Sequence, residues 1–279
     1  MNGIILINKE KGYTSHDVVN IARKVLHTKK VGHGGTLDPD ATGLLVLCVN
    51  KATKALQFIS NDAKVYQAKL TLGLASDTFD ISGEILERQE VRQYSREEIV
   101  QALESFLGQS EQVPPIYSAL KVKGKKLYEY ARNNEAVEIE PRQITITAIE
   151  LIGYQDNVIE FKVACSKGTY IRSLCVDIAA KLGTIGLMSD LVRLQAGSFS
   201  LEDAVTIEQF KNNEYEILPI ESALKGYPAI TVDEKIVIHG KPIESNLQGD
   251  VAVYNDQGKI LAIYRSDSQG YLRSVRGLF

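Results

Sequence analysis

The sequence lacks the features that mark secreted, membrane-spanning and zinc-binding proteins. Its three cysteines, Cys48, Cys165 and Cys175, are widely spaced and odd in number, which argues against a disulfide framework. No CxxC, HxxxH or HExxH pattern occurs, so we expect no metal site. No apolar run approaches the length of a membrane span, and the N-terminus carries no secretory signal. We therefore expect a cytoplasmic protein with no membrane partner.

The overall charge gives no indication of a nucleic-acid partner. The formal net charge is −3 and the isoelectric point is near 5.9. Phosphate binding would then require a local basic face rather than a basic chain. With 279 residues, of which 44% are hydrophobic, the chain suits one large globular domain with or without a small appendage.

Strand and helix patterns are mixed along the chain without a regular βαβ rhythm, which predicts an α+β fold. The spacing of apolar residues predicts an early helix with Ser15 as its capping residue. Ser95 and Glu98 form a capping box for a second helix. The segment 108–115 is expected to be a break between elements. A third, amphipathic helix is predicted over residues 170–182.

Beyond Gly226 the sequence changes to short β-like runs separated by turn residues. One of these predicted strands covers residues 235–238. The change predicts a main domain over residues 1–226 and a small β-rich domain over residues 227–279. About fifty residues are marginal for independent folding unless they pack on the first domain.

The densest chemical signal is the glycine-rich segment 29–43, which shows no apolar periodicity. Its four glycines allow positive φ angles and a close approach of the backbone to a ligand. Pro39 biases Asp38 towards an extended conformation, in an ordered loop between a helix and a strand, where functional residues often lie. Composition alone fits a plain turn capped by Asp38 equally well.

Five blocks of the sequence, in the same order, resemble a known family of enzymes. Residues 35–43, GTLDPDATG, match the active-site motif G-x-L-D-P-x-A-T-G of the TruB family of tRNA pseudouridine synthases. Four further blocks within residues 3–199 carry the similarity: N-K with G and T-S at 8–15, K-x-Y with D-T-x-D at 64–80, S-x-G-T-Y-I-R-x-L at 166–174, and L-x-R-L with G and F at 191–199. Glu10 departs from the family, which usually has proline there, at a turn rather than at a reacting group.

The resemblance implies a pseudouridine synthase fold, with a mixed, mainly antiparallel sheet flanked by helices and loops. It assigns Asp38 as the carboxylate that breaks the glycosidic bond of a uridine, so that the uracil rejoins through carbon 5. Whether Asp38 attacks the sugar, attacks the base or acts as a base is left open. Arg172 is implied to pair with Asp38 and keep it ionised. Tyr66 is implied to stack on the target base and to take part in proton transfer.

The remaining site residues are implied in the same way. Tyr170 packs near the base, Leu191 lines its pocket, His33 contacts the RNA beside the flipped nucleotide, and Lys9 binds substrate. A flipped base held against aromatic side chains fits this chemistry, and an isomerisation requires no cofactor. Taken alone, Tyr66 on an alternating strand is typical of a core residue, and His33 of a loop residue with no role. Asp80 is expected to organise a turn.

The strongest local basic feature is the turn at residues 121–126. It contains Lys121, Lys123, Lys125 and Lys126, with Tyr117 and Tyr128 on either side. Such a cluster is often only a solvated face. Lysines next to aromatic residues also suit a clamp on loop RNA, an interpretation that the resemblance favours. The β-rich tail resembles the PUA-like RNA-binding tail of family members, and a structural cap is the alternative.

The leading hypothesis is conversion of uridine 55 in the T arm of tRNA to pseudouridine, by a stand-alone monomer that requires no protein partner. A second keeps the chemistry but targets ribosomal RNA with guide RNAs; relatives of that kind carry longer basic termini. A third is an RNA-folding or RNA-binding protein, against which Asp38, Tyr66 and Arg172 together count. A fourth hypothesis is a hydrolase that uses Asp38 with His33. The sequence contains no second catalytic carboxylate motif and no nucleophile elbow to support it.

Overall fold

The structure is a computed structural model that describes residues 2–60 and 63–278. The strands in chain order are β1 (Gly3–Lys9), β2 (Val31–His33), β3 (Thr42–Val49), β4 (Lys64–Leu72), β5 (Leu74–Ser76), β6 (Ile85–Arg88), β7 (Gly108–Gln112), β8 (Lys121–Val122), β9 (Lys125–Lys126), β10 (Arg142–Gln155), β11 (Val158–Cys165), β12 (Gly186–Ala196), β13 (Phe199–Ser200), β14 (Val205–Thr206), β15 (Ala229–Thr231), β16 (Ile243–Glu244), β17 (Asp250–Tyr254), β18 (Ile260–Ser266) and β19 (Tyr271–Gly277). The helices are α1 (Ser15–Val25), α2 (Leu56–Ile59), α3 (Arg96–Glu104), α4 (Leu127–Arg132), α5 (Ile171–Lys181), α6 (Ile207–Lys211) and α7 (Glu234–Ile238). Short 3₁₀ segments cover Asn50–Ala55, Leu201–Asp203 and Ile220–Leu224.

The chain divides into two compact units. The first comprises Met1–Pro39, Gly43–Asp62 and Gln195–Phe279, and the second comprises Asp40–Thr42 and Ala63–Leu194. Strand pairs whose register is described are antiparallel, except β1 with β14 and β15 with β17. The prediction of a mixed, mainly antiparallel architecture with flanking helices is therefore confirmed. The predicted domain boundary at residue 226 stays a prediction.

Strands β1 and β3 form the centre of the first unit and are buried on both faces. β3 pairs with β1 and β2, and β14 joins the far edge of β1. Because side chains alternate across a strand, one face, with Ile5 and Leu47, packs on α1 and α6. The other face, with Leu6 and Val46, packs on α2 and Phe199. This two-sided burial explains why both strands are almost continuously apolar.

Helix α1 is capped by Thr14 and not by Ser15 as predicted. Thr14 Oγ1 accepts a hydrogen bond from Asp17 N at 3.0 Å, and the Asp17 carboxylate accepts one from Thr14 N at 2.9 Å. This reciprocal pair is a capping box. The hydrogen bonds that the Asp17 carboxylate accepts from the side chain and the backbone of Thr14 lower the pKa of Asp17. Ser15 is the first helical residue, and its buried hydroxyl makes a different contact, described below.

The C-terminal strands form a separate five-stranded sheet in the order β15-β17-β18-β19-β16. The run 235–238, predicted as a strand, belongs instead to helix α7. Asp233 caps this helix by accepting a hydrogen bond from Lys235 N at 2.8 Å. Val237 packs into the core of the small sheet. A run this short buries only one side chain, whether it forms a helical turn or a strand. Its sequence therefore looks the same in both cases, which explains the error.

The C-terminal sheet packs on the earlier part of the first unit. Phe58 and Leu224 share a buried apolar cluster with Ile263 and Leu278. The ring of Phe58 also meets that of Tyr227 edge to face, with centroids 6.3 Å apart. These contacts supply the packing that so short a segment requires.

The second unit contains a sheet in the order β12-β4-β11-β10-β7, with α3 and α5 packed against it. The predicted capping box of α3 is present: Ser95 Oγ accepts from Glu98 N, and Glu98 accepts from Ser95 N. The segment 108–115, predicted as a break, contains the edge strand β7, which pairs with β10. Its polar sequence, GQSEQ, has no strand pattern, and an edge position tolerates that polarity.

All three cysteines are buried and carry free thiols. Burial raises the pKa of Cys48 to about 12 and that of Cys165 to about 11, and it also raises the pKa of Cys175. The thiols are therefore protonated and unreactive at neutral pH. Within residues 2–60 and 63–278, no group of His, Cys, Asp and Glu side chains is arranged to hold a metal ion. No helix in those same residues is long and apolar enough to cross a membrane.

Candidate functional site

Residues 34–41 of the glycine-rich segment form the loop that connects β2 to β3, and Asp38 lies in it half-buried. Residues 31–33, predicted as part of this loop, form β2 instead, because they pair with β3. Gly34 N donates to Val46 O at 2.9 Å, which holds the start of this loop against β3. A Cβ atom at Gly34 would collide with the side chain of Ile59, so the close approach requires glycine. Leu37 is buried, with 3% of its surface exposed. Asp38 therefore follows directly on a buried anchor.

Ser15 holds the residue that precedes Asp38. Its Oγ accepts a hydrogen bond from Leu37 N at 2.8 Å and donates one to Leu37 O at 3.0 Å. The side chain of Ser15 is itself buried. One hydroxyl thus satisfies both backbone groups of a buried loop residue, which fixes the loop to α1.

Lys9 holds the residue that follows Asp38. Its side chain is fully buried, and Nζ donates to three backbone carbonyl oxygens: those of Tyr13 at 2.7 Å, Pro39 at 3.0 Å and Glu10 at 3.1 Å. Glu10 contributes only a carbonyl here, which a proline would also offer. The observed contacts make Lys9 an anchor of the loop, and its role in substrate binding stays a prediction.

Replacing Ser15 by alanine is expected to loosen the Asp38 loop. The change leaves both backbone groups of Leu37 without this partner, which costs roughly 1–3 kcal/mol of unfolding free energy. A urea titration monitored by circular dichroism measures the loss of unfolding free energy. Ser198→Ala is the matched control, because its exposed hydroxyl donates a single bond, to Ser222 O at 2.9 Å. Equal losses in the two variants would contradict the anchoring role of Ser15.

Arg172 lies in the first turn of α5, whose N-cap residue is Tyr170. The guanidinium is buried and donates to Thr78 O and Tyr117 O, each at 3.0 Å. Its NH1 nitrogen also lies 3.6 Å from Asp80 Oδ2. The dipole of a helix disfavours a cation at its N-terminus, and these contacts compensate for that placement.

Asp80 organises a turn, as predicted. Its Oδ1 accepts from Thr78 Oγ1 at 2.8 Å, Ser82 N at 3.1 Å and Ser82 Oγ at 2.6 Å. Its ion pair with Arg172 was not found from the sequence. The one sequence signal for this pair was the D-T-x-D motif, which contains Asp80. The first aspartate of the motif, Asp77, also has a structural partner. A hydrogen bond from the Tyr117 hydroxyl to Asp77 raises the pKa of Tyr117.

The predicted base-contacting residues of the second unit lie on three elements. Tyr66 is on β4 opposite Val163, and it is half-buried, unlike a core residue. Tyr170 is half-buried at the start of α5, and the side chain of Gln112 bonds to its backbone. Leu191 is buried on β12. Gln112 carried no sequence signal, because it follows a polar run that resembled a break.

The four lysines of the basic turn lie on one hairpin, formed by β8 and β9 and called here the lysine hairpin (residues 121–126). Lys121 pairs with Lys126 across it. The two turn residues, Lys123 and Gly124, have φ angles of +50° and +85°, the left-handed pair that a tight hairpin turn requires. The predicted basic turn is confirmed.

Two lysines of the hairpin have partners within the chain. Lys125 Nζ lies 2.6 Å from Glu135 Oε2 and 4.6 Å from the ring centroid of Tyr130. Lys126 Nζ donates to the hydroxyl of Tyr128 at 3.3 Å. The other two lysines are exposed: Lys121 at the start of β8 and Lys123 in the turn. The hairpin therefore presents two lysines directly to solvent and holds two more against aromatic rings.

The predicted site residues fall into two groups by unit. Lys9, His33 and Asp38 belong to the first unit, where His33 Nδ1 accepts a hydrogen bond from Gly35 N at 3.4 Å. The second unit holds the others: Tyr66, Tyr170, Arg172, Leu191 and the four hairpin lysines. The predicted pairing of Asp38 with Arg172 stays a prediction.

Comparisons with known proteins agree on one family. A model described as "TruB family pseudouridylate synthase (N terminal domain)" matches residues 23–171, and one described as "tRNA pseudouridylate synthase B C-terminal domain" matches residues 172–225. A Clostridium perfringens protein named tRNA pseudouridine synthase B is 44% identical, over 97% of both chains. A Bacillus cytotoxicus protein of the same name is 43% identical, over 95% of this chain and 92% of that one.

Solved structures share the fold. A chain in the crystal structure of a Cbf5-Nop10-Gar1 complex superposes with a TM-score of 0.78 at 25% identity, covering 99% of this chain and 85% of that one. A chain in the structure of an H/ACA RNP bound to a substrate RNA containing 2'-deoxyuridine superposes with a TM-score of 0.74 at 23% identity, over 99% and 85% of the two chains.

Proposed function

Because the chain belongs to the TruB family of pseudouridylate synthases and is therefore an isomerase, we propose that it converts uridine 55 in the T arm of tRNA to pseudouridine. Relatives that cover almost the whole chain are named for tRNA, which supports tRNA as the substrate. We further propose that it acts in the cytoplasm as a monomer and without a protein partner.

The proposed reaction assigns Asp38 as the essential carboxylate. The target nucleotide leaves the helical stack and enters the enzyme, because its glycosidic bond is out of reach inside the stack. Tyr66 and Tyr170 supply aromatic surfaces for the flipped uracil, and Leu191 supplies an apolar one. Arg172 supports the negative charge of the reacting carboxylate, and His33 contacts the RNA beside the flipped nucleotide. No redox change or group addition occurs, so no cofactor takes part.

One observation carries the proposal: the loop around Asp38 is anchored on both sides by buried groups. Ser15 bonds to Leu37, and Lys9 bonds to Pro39. A carboxylate that must meet one atom of a flipped nucleotide gains rate from such preorganisation, because misplacement by about 1 Å costs on the order of a hundredfold. A plain turn capped by Asp38 would have no need of buried anchors on either side.

The test uses an unmodified tRNA transcript that carries tritium at carbon 5 of its uracils. Formation of the new carbon–carbon bond displaces that tritium, so its release into water measures turnover. Carbodiimide treatment followed by primer extension then locates the product as a stop. We expect release together with a single stop that reports position 55.

The outcomes separate the hypotheses. A stop at another position would keep the isomerisation and contradict the proposed target. No release from folded, RNA-binding protein would contradict the proposed reaction and favour a binding role. A guide-dependent enzyme would release tritium from ribosomal RNA only when a guide RNA is added.

A further inference from the structure

Gln112 occupies the end of the edge strand β7, and its side chain is buried, with 3% of its surface exposed. Its Oε1 accepts a hydrogen bond from Tyr170 N at 2.8 Å, and its Nε2 donates one to Tyr170 O at 3.1 Å. One amide thus bonds to both backbone groups of a residue 58 positions away. A buried amide with both ends paired holds its partner in a defined place, because either end unpaired costs free energy.

Two neighbouring contacts hold the same helix start. Ser173 Oγ donates to Val113 O at 2.8 Å, and Arg172 NH2 donates to Tyr117 O at 3.0 Å. Tyr170, the N-cap residue of α5, makes no capping hydrogen bond with its own side chain. The segment that begins at Gln112 therefore holds this turn from outside the helix, in addition to the contacts of Arg172 with Thr78 and Asp80.

We propose that Gln112 is a positioning residue of the reaction. It holds the backbone of Tyr170 so that the tyrosine ring packs against the target uracil, and it does so from a buried position away from the RNA. The inference rests on the proposed function, since that function places Tyr170 next to the base. Its consequence is specific: loss of Gln112 slows the chemical step while RNA binding is retained.

Two substitutions of Gln112 test this role. Gln112→Glu keeps the size and the acceptor for Tyr170 N but replaces the donor to Tyr170 O with an oxygen. Gln112→Ala removes both bonds. We expect the single-turnover rate of tritium release to fall about tenfold in the first and about a hundredfold in the second, the range expected for misplacement by about 1 Å. The dissociation constant for tRNA, set mainly by phosphate contacts, should change by less than about threefold.

A matched control and a double variant separate positioning from a general structural effect. Gln143→Ala removes an exposed glutamine on the adjacent strand, whose Nε2 donates to Glu111 Oε1 at 3.2 Å, and it should keep the wild-type rate. Tyr170→Ala leaves the backbone bonds of Gln112 in place but removes the ring being positioned. The double variant with Gln112→Ala should then be no slower than Tyr170→Ala alone.

The proposal is overturned if the losses of the two single variants multiply in the double variant, if tRNA binding falls as much as the rate, or if Gln112→Glu keeps the wild-type rate. Should Gln112→Ala fail to fold, as judged by circular dichroism, Gln112→Glu and its combination with Tyr170→Ala decide by the same criteria. Failure of the proposed function is distinguishable, because the wild-type protein would then release no tritium from tRNA before any variant is compared.

Discussion

Asp38→Asn is expected to form pseudouridine on the order of 10⁴-fold more slowly than the wild type, or not at all, while it still binds tRNA. An amide has nearly the size of a carboxylate but cannot act as a nucleophile or base. The buried contacts of Ser15 and Lys9 hold the loop through its backbone, so the loop should keep its conformation. RNA affinity should persist because phosphate contacts supply most of it. Single-turnover tritium release and filter binding measure the two quantities.

Asp40→Asn provides the control for this experiment. Asp40 is exposed, lies two residues further along the same loop and carries the same charge, so its amide should retain a rate close to that of the wild type. A rate for Asp38→Asn within tenfold of the wild type would show that the carboxylate is dispensable. Loss of tRNA binding with the fold intact would assign Asp38 to binding rather than to the reaction.

Neutralising the lysine hairpin is expected to produce the largest change in RNA affinity. Replacement of all four lysines by glutamine should weaken tRNA binding and flatten its dependence on salt. Each lost phosphate contact reduces the magnitude of the negative slope of log K against log salt by about 0.7 to 0.9. Binding titrations between about 50 and 200 mM salt measure that slope.

The structure divides this prediction into two pairs. Lys121→Gln with Lys123→Gln removes the two exposed lysines and should account for most of the change in slope. Lys125→Gln with Lys126→Gln should contribute less, because those ammonium groups already contact Glu135 and Tyr128. Replacement of the exposed helix-end residues Lys181 and Lys211 by glutamine is the charge-matched control for each pair. An unchanged slope in the fourfold variant would show that the hairpin makes no phosphate contacts and is only a solvated face.

The predicted pseudouridine synthase fold is confirmed, together with membership of the family. Elements with strong local signals were predicted well: the capping box of α3 and the helix that begins after Tyr170. In each case the residues that define the element are neighbours along the chain. Local propensity and periodicity then act in the same direction as packing.

Two elements were predicted wrongly for a common reason. Strand β7 has a polar sequence and exists because β10 offers it a hydrogen-bonding edge. The run 235–238 is helical because Asp233 caps it and the small sheet buries Val237. The pairing of β7 and the burial of Val237 both depend on partners far away in sequence, and propensity is only a weak guide where such partners decide.

The sequence by itself determined the family, the reaction and the identity of the proposed reacting residues, because these depend on residue types at fixed spacing along short segments. The tertiary structure decided what supports them: the hydroxyl of Ser15 and the buried ammonium of Lys9 under the Asp38 loop, the ion pair of Asp80 with Arg172, and the amide of Gln112 behind Tyr170. Each of these contacts joins a side chain to a group that only the folded chain brings into contact with it. Their strength comes from burial, which a sequence pattern does not encode for an isolated serine or glutamine.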